Sequence, residues 1–135
     1  MKDLFKALMF TPEEKTETAD IMFEIGSGYM QADGAKLYKE CGQQEKYITY
    51  VKAHLKDKEE PYLEVINYYK EKDPEKSAQI AELGFKKCKD SQTGIITFLI
   101  QNARNSGDKE QEAKLIKSAK MRRSVDFEKV KEALN

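Results

Sequence analysis

The sequence predicts an all-α protein of seven or eight helices, at least 70% helical and stacked as antiparallel hairpins from about residue 35 onward. Three observations predict it. The first is a weak internal echo. YLEVINYYKEKDPEKSAQI (62–80) is followed 35 residues later by FLIQNARNSGDKEQEAKL, which sets Asn67 on Asn102, Asp73 on Asp108, Ala78 on Ala113 and Ile80 on Leu115. A period of about 30 to 40 residues made of two helices is the mark of stacked helical hairpins. The second is a set of four helix-start signals, at Thr11, Asp73, Ser91 and Asp108. The third is the lack of any partner for the single run that resembles a strand, GIITFLI at 94–100. A lone strand cannot satisfy its backbone, so that run is expected to be the most buried helix. A compact helical bundle is the alternative arrangement.

Taken in order, an opening helix at Asp3–Phe10 places Leu4, Phe5, Leu8 and Met9 on one face. It is too short to stand alone and must dock. Thr11, Pro12 and Glu14 form a capping-box start for a helix to about Met30, with Ala19, Met22, Phe23, Gly26, Tyr29 and Met30 on its apolar face. Gly26 and Gly28 mark a kink or a close helix crossing. A phosphate-cradling loop would need a preceding strand and a following Gly-Lys-Ser/Thr, and neither is present. Ala32–Gly34 suggests a turn or kink before a segment with Leu37, Tyr38 and Cys41, ending at Gly42.

A helix over about Gln43–Lys56 buries Tyr47, Ile48, Val51 and Leu55. Pro61 opens the next, which carries Leu63, Val65, Ile66 and Tyr69. Asp73-Pro74 starts a helix through Cys88 with a stripe of Ala81, Leu83, Gly84, Phe85 and Cys88. Ser91 caps the GIITFLI helix. After Gly107, Asp108 and Gln111 cap a helix bearing Ala113, Leu115, Ile116 and Ala119, and a last helix from about Ser124 carries Phe127, Val130 and Leu134. The expected organisation is one all-helical domain over 1–135. Its parts are N-terminal helices to 34, a repeat-like region over 35–122 and a C-terminal capping helix at 124–135.

The 135 residues are 39% apolar and 36% charged, which suits helices with one wide polar face. Charge is polarised along the chain. Residues 1–85 hold 12 basic and 17 acidic side chains, whereas residues 86–135 hold 12 and 7. Such asymmetry steers partners or aligns subunits. A capped monomer is expected ahead of a homodimer joined through the last helix.

Two cysteines 47 residues apart and a single histidine match no redox pair and no zinc site. No cofactor or metal is expected. His54 with Cys41 and Asp57 is the nearest approach to a nucleophile–base set and lacks an oxyanion donor pattern. An enzyme is not expected. No signal peptide or membrane span is evident, and the cytoplasm is the expected compartment.

The layout resembles a degenerate tetratricopeptide (TPR)-like repeat, with Tyr62, Val65, Tyr69 and Ala78 on that family's aromatic, leucine, tyrosine and small positions. Glu82 and Phe85 depart from its later positions, as do Thr97 and Arg104 in the next unit. The resemblance implies a right-handed solenoid and a non-enzymatic scaffold that binds a protein or peptide along its first helices. By resemblance, Asn67 and Asn102 are groove residues, with Tyr68 beside them. A separate feature is the basic C-terminal half. Lys114, Lys117 and Lys120 adjoin Arg122 and Arg123, while Lys86, Lys87 and Lys89 close the preceding hairpin. If these flank one another they form a ridge for phosphate backbones or acidic peptides. RNA binding through Lys86, Lys120, Arg122 and Arg123 is therefore the alternative function.

Overall fold

The structure, a computed structural model, describes residues 11–26 and 28–135. It is all-α, with eight helices among the described residues: α1 Pro12–Ile25, α2 Gly28–Glu40, α3 Gln44–Ala53, α4 Glu59–Lys72, α5 Pro74–Lys87, α6 Thr93–Ser106, α7 Lys109–Met121 and α8 Phe127–Leu134. The expected helix at Asp3–Phe10 lies outside the described residues. The chain divides into two compact units, Met1–Ala53 and His54–Asn135.

In the first unit, α1 pairs with α2 and α2 with α3. Thr11 accepts the Glu14 N–H at 3.2 Å, as a capping box requires. The helix expected to continue to Met30 stops at Ile25, because Gly26 is extended (φ −92°, ψ 156°) and α2 begins at Gly28. The turn expected at Ala32–Gly34 lies inside α2 instead. Of the two glycine sites, the break at Gly26 is the kink expected there, and only the Ala32–Gly34 expectation is corrected. Gly34 makes a close helix approach, since a Cβ there would sit 2.9 Å from the Phe23 ring and 3.3 Å from the Ala19 carbonyl. Gly26 is tighter still, a Cβ there meeting the Met22 carbonyl and Met30 Cβ, whereas Gly28 has open space. Ala19, Leu37 and Tyr38 form the core with Met22, Phe23 and Tyr47 against them. Tyr29 and Met30, placed by sequence on the apolar face, are exposed. Their periodicity was counted along a single helix that does not exist. Helix α3 ends at Ala53, so Leu55 lies beyond it, half-buried.

The second unit carries the echo. Helices α4 and α5 form one hairpin, joined by Asp73 alone, and α6 and α7 form the next, joined by Gly107 and Asp108. Asp73 caps α5 by accepting the Lys76 N–H at 3.2 Å, and Asp108 caps α7 by accepting the Gln111 N–H at 3.0 Å. The 35-residue shift thus carries one cap onto the other. Helix α6 packs on both α4 and α5, and α8 covers α6 and α7. Hairpin pairing of this kind is common to helical-repeat stacks and to packed bundles.

GIITFLI is helical, and Ile95, Ile96 and Ile100 are fully buried with Tyr62, Val65 and Ile66. Each such side chain contributes about 1.5–3 kcal/mol through burial. Tyr62 keeps its hydroxyl satisfied by donating to the Lys56 carbonyl at 2.8 Å. Three expectations are corrected here. Leu83 is exposed while Ser77 and Ile80 take the buried face of α5, and Ala113 is exposed on α7. The last helix begins at Phe127, where Asp126 accepts the Lys129 N–H, and not at Ser124.

Candidate functional site

Two surfaces of the second unit gather the sequence-predicted residues. The first is built where α5 and α7 end. Gln92, buried between them, is the hub. Its Nε2 donates to the Phe85 carbonyl, and its Oε1 accepts from Ser124 Oγ at 2.7 Å and Arg122 Nη1 at 3.1 Å. Its own N–H donates to the Ser124 carbonyl at 2.9 Å. The Arg122 guanidinium lies 4.2 Å above the centre of the Phe85 ring, a cation–π contact as well as a hydrogen bond. One arginine thereby ties the end of α7 to the end of α5.

That tie sets exposed Lys86, Lys87 and Lys89 at the same end of the unit as Lys117, Lys120 and Arg123. Over 86–90 and 117–123 there are seven basic residues and one acid, Asp90. Asp90 is itself engaged: its Oδ1 accepts the Ser91 N–H at 2.8 Å and the Glu59 N–H at 3.1 Å. These bonds, Ser91's first, hold its carboxyl below the usual carboxylate range. Lys120 and Lys131 both sit 5.5 Å from the Phe127 ring, but Lys131 is paired with Glu128 at 3.1 Å and adds no free charge to the cluster. Among the described residues, Lys86, Lys87, Lys89, Lys117 and Arg123 form no ion pair. Lys86, Lys87 and Lys120 also complement the dipoles at their helix ends.

The second surface is a depression of about 460 Å³ between the first helices of the two hairpins. Asn67 and Asn102 both line it, with Leu63 and Phe98 adding apolar lining and Lys70 and Asn105 following one turn further along each helix. Each of these pairs is related by the 35-residue echo. Tyr68 is not among the lining residues. Its ring lies edge-on to Tyr69 at 5.0 Å and under the Lys72 ammonium at 4.4 Å, and both tyrosines are half-buried.

Sequence reasoning missed Gln92, which sits in an ordinary polar interhelix stretch and betrays nothing of its burial. It also missed Lys70 and Asn105, although the echo that paired Asn67 with Asn102 pairs these too. Of the proposed nucleophile–base set, Cys41 lies in the first unit, its Sγ 3.3 Å from Thr16 Oγ1, while His54 and Asp57 belong to the second. Both cysteines are free. Burial pushes the Cys88 thiol up to about 11, with Asp90, Glu59 and Asp57 adding to the rise. Among the described residues, no group of three His, Cys, Asp or Glu is placed to hold a metal, and no helix is long and apolar enough to cross a membrane. No protein-family model, curated protein or solved structure matches the chain.

Proposed function

We propose that the chain is a non-catalytic binding module of the cytoplasm that holds RNA by its phosphate backbone on the basic end of the second unit. The observation that carries this reading is Arg122 seated on Phe85, because it joins two lysine groups 30 residues apart in sequence into one cluster. Phosphate recognition needs several cations within reach of successive phosphates, and it needs them unpaired. Phe85 and Phe127 are both covered by cations, so neither offers a face for base stacking. Binding is accordingly indifferent to sequence, and single strands and duplexes bind comparably.

Fluorescence anisotropy of a labelled RNA, titrated at several salt concentrations, tests this. The expected slope of log K against log salt corresponds to about three or four phosphate contacts. Lys86→Ala with Arg123→Ala lowers that slope by up to about two. An absence of binding at low salt removes the reading.

A second reading rests on a different observation, the placement of Asn67 and Asn102 in one depression. Paired carboxamides beside an apolar lining suit an extended peptide, whose backbone offers both donors and acceptors. The all-helical hairpin architecture suits protein or peptide interaction in general. Asn67→Ala and Asn102→Ala would then abolish capture of a peptide partner while leaving RNA binding unchanged.

A further inference from the structure

We infer that α1 is a docking surface for a second copy of this chain, whose α7 lies along it. The observation begins with apolar side chains left in solvent. Ile21 is 54% exposed, Ile25 72% and Tyr29 83%, and Met30 is also exposed beside them. Four large apolar residues left exposed within ten positions, at the end of one helix and the start of the next, are the kind of surface that marks an interaction site.

The rim of the patch specifies the partner. Along the exposed side of α1, Glu13 and Glu17 precede Ile21 and Ile25 at one-turn spacing, with Asp20 and Glu24 alongside. Helix α1 holds five acidic residues against one lysine. A complementary surface is therefore a helix whose cations precede an exposed apolar residue.

Helix α7 has that pattern. Lys114 and Lys117 precede Met121 on one exposed row, Met121 is 76% exposed, and Lys120, Arg122 and Arg123 surround it. Residues 109–123 hold six cations and two acids. Only a parallel lay of α7 on α1 satisfies both features. It sets Lys114, itself paired with Glu110 at 3.6 Å, beside Glu17, and Lys117 beside Asp20, which Lys46 already engages at 3.0 Å, while Met121 reaches Ile25. An antiparallel lay that matches Met121 to Ile25 carries the acidic row past Lys114 and Lys117, and one that matches it to Ile21 leaves only Glu24 beside Lys117. A dimer that uses both contacts pairs α1 of each copy with α7 of the other. Small helix faces of mixed character give a weak, transient association, formed faster at low salt.

The inference does not rest on RNA binding, and its test contains no nucleic acid. Sedimentation velocity of the full chain over a concentration series, at low and high salt, measures it. The expected result is a monomer–dimer equilibrium in the micromolar range that weakens with salt. Glu17→Lys with Glu24→Lys, and separately Lys114→Glu with Lys117→Glu, each raise the dimer dissociation constant at least about tenfold. An equimolar mixture of the two charge-reversed chains recovers association, because each contact in the mixed dimer again pairs opposite charges. Circular dichroism confirms that both variants are folded, so recovery cannot be mistaken for a folding defect. A wild-type chain that stays monomeric to high micromolar concentration at low salt overturns the inference. So does a dimer indifferent to both reversals, which would use another surface.

Discussion

Glu59 caps α6, and Asp90, in the loop before α6, caps the helix that Glu59 begins. The Glu59 N–H, unsatisfied within the first turn of α4, donates to Asp90 Oδ1 at 3.1 Å, while Glu59 Oε2 accepts the Gly94 and Ile95 N–H groups of α6 at 3.0 and 3.2 Å. A helix leaves its first N–H groups without internal partners. Here the first helix of one hairpin supplies those of the next. Ser91, expected from sequence as the cap of α6, reaches only the Thr93 N–H, at 3.4 Å.

Removing the Glu59 carboxylate tests this link. Glu59→Ala should lower the stability of the chain by about 1–2 kcal/mol, the usual worth of a helix cap. Glu59→Gln keeps an oxygen acceptor and should lose less. Urea denaturation followed by circular dichroism measures both, and equal losses would place the effect outside the cap.

Gln92 and Arg122 should separate fold from binding. Gln92→Ala leaves the Phe85 carbonyl without its donor and should cost about 1–3 kcal/mol, the penalty for an unsatisfied buried group. Arg122→Ala should lower both stability and RNA affinity, whereas Arg123→Ala should lower affinity alone. Melting curves run beside the anisotropy titrations distinguish them. An Arg123→Ala chain that melts early would contradict the assignment.

Gly84 stands where α4, α5 and α6 meet. A Cβ there would lie 2.8 Å from Ile95 Cδ1 and 2.9 Å from Tyr62 Cδ1, and both side chains are fully buried. Gly84→Ala should therefore destabilise by about 1–3 kcal/mol through overpacking. Gly28→Ala, with open space around it, is the control and should be neutral or slightly stabilising. Denaturant midpoints of the two variants check the contrast.

Asp20 gives the first unit a pH dependence. It accepts from the Tyr38 hydroxyl and, at 3.0 Å, from the Lys46 ammonium. Tyr38's bond first, then Lys46's, hold its carboxyl below the ordinary 3.8. A carboxyl with a depressed folded value stabilises above its unfolded value and loses that contribution as pH falls through the folded one. Asp20→Asn should thus be less stable than wild type near neutrality, with the gap closing below about pH 3.8. Urea midpoints from pH 7 to 2 measure it, and a gap that widened in acid would contradict the sign.

Much of the second unit was legible in the sequence because its signals are local. Asp73-Pro74 and Asp108 with Gln111 each specify a helix start from adjacent residues, and the echo transfers one to the other. The first unit was less legible. Periodicity alone ran α1 through Gly26 to Met30, since a break between Ile25 and Gly28 does not alter the apolar pattern around it. Gly34 read as a turn because a glycine that admits a neighbouring ring looks the same in sequence as one that bends the chain. At the candidate site, the exposed lysines were visible in advance. Gln92 was not, since a buried polar hub is defined by partners far along the chain.

In the proposed function, RNA phosphates seat on the ridge that Arg122 and Phe85 assemble. The most direct test is nuclear magnetic resonance of the isotopically labelled chain, titrated with a short RNA at low salt. Progressive shifts of the Lys86–Lys89 and Lys117–Ser124 amides, reversed by added salt, are expected, with Asn67 and Asn102 unmoved. Shifts confined to Asn67, Asn102 and their depression, or none at all, would contradict it.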